Sequence, residues 1–167
     1  MAIQINGDGT ITGISSGGLQ AGIVTSATLA SGAITSTALP AGSIVQVVQT
    51  YYDNHQQISG SGEQDHGFTA TITPKASGNK IWVSMSGAVG SGVTTNFARG
   101  LFKVDVGGAG YNTIGDQFFI GGRIQNSRGT ETWSHDYLYT TSSASAHNFK
   151  LYTRVIDNDN MYIGGWA

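Results

Sequence analysis

Ala98-Arg-Gly-Leu-Phe-Lys-Val-Asp-Val106 decides the fold. Ala98, Gly100, Phe102, Val104 and Val106 share one parity, while Arg99, Lys103 and Asp105 share the other. Successive side chains of an extended chain point to opposite faces, so this alternation describes a strand with one dry and one wetted face. The same pattern recurs at 147–155, where Phe149, Leu151, Thr153 and Val155 oppose Asn148, Lys150, Tyr152 and Arg154. It recurs again at 80–85, where Ile81, Val83 and Met85 oppose Lys80, Trp82 and Ser84. No window carries a 3.6-residue period.

Extending this reading predicts strands near 43–51, 67–73, 79–87, 96–106, 116–124, 131–140, 147–156 and 160–166, separated by turn clusters. Their even spacing predicts an all-β chain whose residues 43–167 form a jelly-roll-like antiparallel β-sandwich head. Trp82 and Tyr152 fall on outer faces, which makes these large aromatics candidates for a ligand surface or a subunit interface.

Upstream the texture changes. Leu29-Ala-Ser-Gly-Ala-Ile34-Thr is followed ten residues later by Leu39-Pro-Ala-Gly-Ser-Ile44-Val, and Leu19-Gln-Ala-Gly-Ile23-Val-Thr precedes both in a version one residue shorter. The span from Leu19 to Val45 carries no charge. Burying its large aliphatic side chains falls well short of the conformational entropy lost on ordering the stretch. It therefore cannot build a core alone. A short-period repeat of this kind gains burial by stacking on other copies or on a platform. The competing description is a flexible Gly/Ser/Ala/Thr linker, which gives no reason for Leu and Ile to stay in register. Leu19, Ile23, Leu29, Ile34, Leu39 and Ile44 are thus the expected oligomerisation and attachment residues. Residues 1–14 alternate, with Ile3 and Ile5, a turn at Asn6-Gly-Asp-Gly9, then Ile11 and Ile14, and read as a small hairpin. Residues 1–42 form the expected N-terminal arm.

Composition narrows the function. Charged residues make up 11% of the chain and the net charge is −2, which lacks the basic footprint that nucleic acid or an anionic membrane demands. There is no Cys, and no apolar run is long enough to span a membrane. Met1-Ala-Ile-Gln-Ile lacks a basic region followed by an apolar stretch, so secretion is not expected and synthesis is assigned to a cytoplasm.

Four clusters contain residue types that could carry chemistry. Ser134-His135-Asp136 brings three triad-like residue types together, but neighbours on a strand face opposite ways and cannot form a relay. Asp53, His55, Asp65 and His66 could meet at a metal only if the loop at 53–66 folds back, and its Gln, Gly and Ser content reads as a surface excursion. Asp157-Asn-Asp-Asn160 lacks the Gly and distal Glu of a calcium loop and reads as a hairpin turn. Gly107-Gly-Ala-Gly110 has no following Lys or helix and also reads as a turn. Neither an enzyme nor a cofactor is expected.

Three stretches resemble a recurrent pattern in structural proteins of tailed bacteriophages, especially those of cyanobacteria and marine bacteria. They are Met1-Ala-Ile-Gln-Ile-Asn-Gly-Asp-Gly-Thr-Ile-Thr-Gly-Ile14, Leu39-Pro-Ala-Gly-Ser-Ile-Val-Gln-Val-Val-Gln49 and Gly67-Phe-Thr-Ala-Thr-Ile-Thr-Pro-Lys-Ala-Ser-Gly-Asn-Lys80. The resemblance covers roughly the first half of the chain. It implies a non-enzymatic virion component, a fibre or capsid appendage with an N-terminal attachment segment and a β-rich head.

The resulting expectation is a homotrimer located in the virion. Its arm docks on other virion proteins of the capsid or tail, and its head is displayed outward as a fibre or spike that contacts host-surface glycan. The alternatives are a capsid decoration or cement protein that stabilises the shell, and a stand-alone carbohydrate-binding module.

Overall fold

The computed structural model describes residues 4–5, 11–12, 29, 38–40, 42–91, 97–121, 129–156 and 161–164. The chain divides into two compact units, Met1–Val45 and Gln46–Ala167. In the first unit, β1 (Gln4–Ile5) pairs antiparallel with β2 (Ile11–Thr12), with Ile5 opposite Ile11. Both strands fall within the hairpin expected at residues 1–14, whose Asn6–Gly9 turn lies outside the described residues.

The second unit is an all-β sandwich. Its strands are β3 (Gln56–Ile58), β4 (Gln64–Ile72), β5 (Lys80–Ser91), β6 (Ala98–Val106), β7 (Tyr111–Gly121), β8 (Gly129–Thr140), β9 (His147–Val155) and β10 (Met161–Ile163). They form two four-stranded antiparallel sheets in the orders β3-β10-β5-β8 and β4-β9-β6-β7. Successive strands alternate between sheets except at β6–β7, which is the strand order of a double-Greek-key jelly roll. The two inner faces close over Phe102, Phe118, Ile120, Leu151, Val89 and Met161, all buried.

Alternation explains which side chains enter this core. Along β9 the buried and half-buried residues alternate without exception from His147 to Val155. Aromatic contacts tie the sheets together. His135 of β8 stacks on Phe118 of β7 with ring centroids 3.8 Å apart, and Tyr139 meets Phe149 edge-on at 5.5 Å. Close approach also requires glycine: a Cβ on Gly100 would lie 2.6 Å from the Phe118 ring.

Two strand expectations are corrected. The stretch at 43–51 forms no strand and pairs with no sheet among the described residues. The strand beside β10 is instead β3, three residues in a segment that reads from sequence as a loop. Gln56-Gln-Ile58 offers one apolar residue, so no alternation marks it. Ile58 alone reaches the core, where it is fully buried.

Candidate functional site

Of the predicted assembly residues, Leu29, Leu39 and Ile44 are described, and all three are exposed. Leu19, Ile23 and Ile34 lie outside the described residues, as does the Asp157–Asn160 turn. The exposed series continues into the second unit through Val47, Val48, Tyr51 and Tyr52. Tyr52 alone gains a partner ring, meeting Phe68 edge-on at 4.4 Å, and its hydroxyl accepts a hydrogen bond from Gln56 Nε2 at 2.8 Å. Among the described residues, Ile44–Tyr51 takes no part in a backbone hydrogen bond to another segment.

Trp82 sits on the outer face of β5, directly opposite Leu138 of β8. They are 69% and 57% exposed, a pair of large apolar side chains on an otherwise hydroxyl-rich face of Ser84, Ser134 and Thr140. The Trp82 indole N–H donates to Asp136 Oδ1 at 3.4 Å, which fixes the tilt of the ring. Asp136 thus faces outward while His135 stacks in the core, the opposition that strand geometry requires of the Ser134-His135-Asp136 run.

Tyr152 lies on the other sheet, so the two predicted aromatics do not share a surface. It is half-buried within a ladder of charges. Lys103 and Lys150 stand opposite each other on β6 and β9, and each has a carboxylate of its own. Lys103 pairs with Glu63 at 2.5 Å and Lys150 with Asp65 at 2.6 Å. Lys103 Nζ also lies 4.3 Å from the Tyr152 ring centroid, and Lys150 Nζ lies 4.8 Å from that of Tyr111. The Tyr152 hydroxyl donates to Asp65 Oδ2 at 3.4 Å.

Partial burial pulls the Asp65 carboxyl upward, but hydrogen bonds from Lys150 and from the Gly67 N–H outweigh it and hold the group below its ordinary value. The Asp65 hydrogen bond raises Lys150 above its own, while burial, followed by the Asp65 charge, raises Tyr152.

The bulge in β4 between Asp65 and Thr69 separates two side chains that a metal site would have needed together. Gly67 takes φ 78° there, a conformation that favours glycine. Asp65 turns outward to Lys150, and His66 turns inward and is buried. His66 Nδ1–H donates to Gln56 Oε1 at 3.0 Å, which leaves Nε2 to accept the Thr153 hydroxyl. Burial pushes the His66 imidazole below its ordinary value. Among the described residues no group of three or more His, Cys, Asp or Glu side chains is placed to hold a metal. The Gly107–Gly110 cluster is the β6–β7 turn, closed by the Gly110 N–H donating to Asp105 Oδ1 at 2.9 Å.

Further along the charged face, Arg99 of β6 and Arg154 of β9 are directly opposite each other, and Phe119 of β7 continues the row beyond Arg99. Sequence alternation places both arginines outward, but their juxtaposition depends on pairing between strands some fifty positions apart, for which a single sequence carries no signal.

No protein-family profile matches this chain, and no curated protein sequence matches it.

Proposed function

We propose that this protein is a structural component of a bacteriophage virion, whose N-terminal arm assembles with other copies and docks on the particle while the jelly-roll head is displayed outward. The observation that carries this reading is the uncharged run of exposed Leu29, Leu39, Ile44, Val45, Val47 and Val48 leading into a head that completes its own core. Large apolar side chains exposed in succession along an uncharged stretch mark an interaction site.

The apolar residues of the lead-in come in adjacent pairs: Ile44-Val45, Val47-Val48 and Tyr51-Tyr52. On an extended segment, adjacent side chains face opposite ways, so both faces are apolar and both call for cover. Three copies around an axis supply that cover on every side, which favours the trimer. The phage-like motifs at 1–14, 39–49 and 67–80 favour the virion setting, and jelly rolls serve in viral capsids and lectins, an analogy of fold alone.

Quantitative mass spectrometry of phage particles purified from cells in which this chain is made tests the reading. Tens of copies per particle are expected for a fibre or spike. Hundreds of copies would favour the capsid decoration role instead, and absence from the particle contradicts both.

A further inference from the structure

Among the described residues, four cationic side chains stand on one face of one sheet, in two directly opposed pairs: Arg99 with Arg154, and Lys103 with Lys150. Like charges placed opposite each other on neighbouring strands destabilise a sheet. The lysine pair is relieved by Glu63 and Asp65. Among the described residues no carboxylate reaches either guanidinium of the arginine pair.

What the arginines share is the neutral carboxamide of Gln117, whose Oε1 accepts from Arg154 Nη2 at 2.8 Å and from Arg99 Nη1 at 3.4 Å. Both Nε atoms are closed off from solvent with no acceptor, so the two forks meet other groups through their terminal nitrogens. The Arg99 guanidinium lies over the Phe119 ring at 5.1 Å, and Phe119 remains 62% exposed beside it.

We propose that Arg99 and Arg154 form a receptor for a carboxylate carried on a sugar ring, the acidic unit of a surface polysaccharide. A guanidinium fork matches a planar carboxylate in geometry and charge, and an anion between two opposed arginines removes their repulsion. Phe119 gives the C–H face of the sugar an apolar platform next to the charge. Gln117 holds the two forks in one place and has an amide N–H₂ to offer to ring hydroxyls. The proposal rests on the outward display of the head and names what that head engages.

Calorimetric titration of the full chain with tetrasaccharides of galacturonic, glucuronic and mannuronic acid tests it, with their methyl esters and sodium acetate as further arms. At least one acid tetrasaccharide is expected to bind at low salt, with its ester at least tenfold weaker and acetate weaker still. Arg99→Gln and Arg154→Gln each reduce affinity at least tenfold, and Arg154→Lys, which keeps the charge without the fork, reduces it less. Trp82→Ala, on the opposite sheet, leaves affinity unchanged and serves with the thermal melt as a control for folding.

The proposal is overturned if no acid tetrasaccharide binds at millimolar concentration, if the ester binds equally well, or if Trp82→Ala rather than the arginine variants removes binding. Acetate binding as tightly as the tetrasaccharide overturns the saccharide assignment. Sedimentation of the same samples separates this from the assembly reading. A multimer that ignores the acid overturns the receptor alone, whereas a monomer that binds it overturns the assembly alone.

Discussion

Ile44–Tyr52 and β9 teach by contrast. The lead-in is the more apolar of the two, with Ile44, Val45, Val47, Val48, Tyr51 and Tyr52, yet each of these side chains is exposed. β9 carries Lys150 and Arg154, yet Phe149, Leu151 and Val155 are buried and its backbone is paired on both sides, to β4 and to β6. Hydrophobic content does not separate them; its spacing does. Alternation gives β9 a dry face and a wet face, which suits a sandwich layer. Paired apolar residues give the lead-in two dry faces, which a sandwich with a filled core does not cover. Apart from the Tyr52 contact with Phe68, these side chains stay exposed, and the proposed assembly would supply their cover.

The contrast can be broken from either side. On the head side the largest effect belongs to the core: Phe102→Ala, which empties a fully enclosed aromatic site, is expected to cost about 3–5 kcal/mol in chemical denaturation. Ile44→Ser plus Val47→Ser should weaken self-association at least tenfold in a dilution series while leaving the head's melting temperature unchanged. A matching drop in melting temperature would mean that the lead-in belongs to the core after all. Gly100→Ala pushes a methyl group against the Phe118 ring and should cost roughly 1–3 kcal/mol.

Proton linkage gives a subtler effect. His66 is held below its ordinary value of 6.5, so the folded head binds fewer protons there than the unfolded chain does. The contribution of His66 to stability is therefore complete above pH 6.5 and is lost as pH drops from 6.5 through the folded value. His66→Gln should flatten that slope in melts recorded across pH. The smallest effect is expected at the surface: Lys103→Ala removes a partly exposed ion pair and should change stability by no more than about 1 kcal/mol.

Much of the head is legible in the sequence because alternation is a local signal. The inner faces of β5, β6 and β9 and the outward placement of Trp82, Arg99 and Arg154 all follow from parity. Three features escape it. β3 is too short and polar to alternate, and its place is set by pairing with β10. The lead-in looks like a strand by composition, but no edge of the head pairs with it. The arginine pair and the Trp82–Leu138 pair depend on register between distant strands, which no property of either strand alone encodes. The repeat at 19–45 is the reverse case, explicit in the sequence and only sparsely represented among the described residues.

Sedimentation velocity of the full chain at micromolar concentration, beside the Leu29→Ser plus Ile34→Ser double variant, tests the central claim most directly. The account predicts a species of three times the chain mass for the unaltered protein and a monomer with an intact β-sheet circular dichroism spectrum for the variant. An unaltered chain that sediments as a monomer, or a double variant that assembles as the parent does, would contradict it.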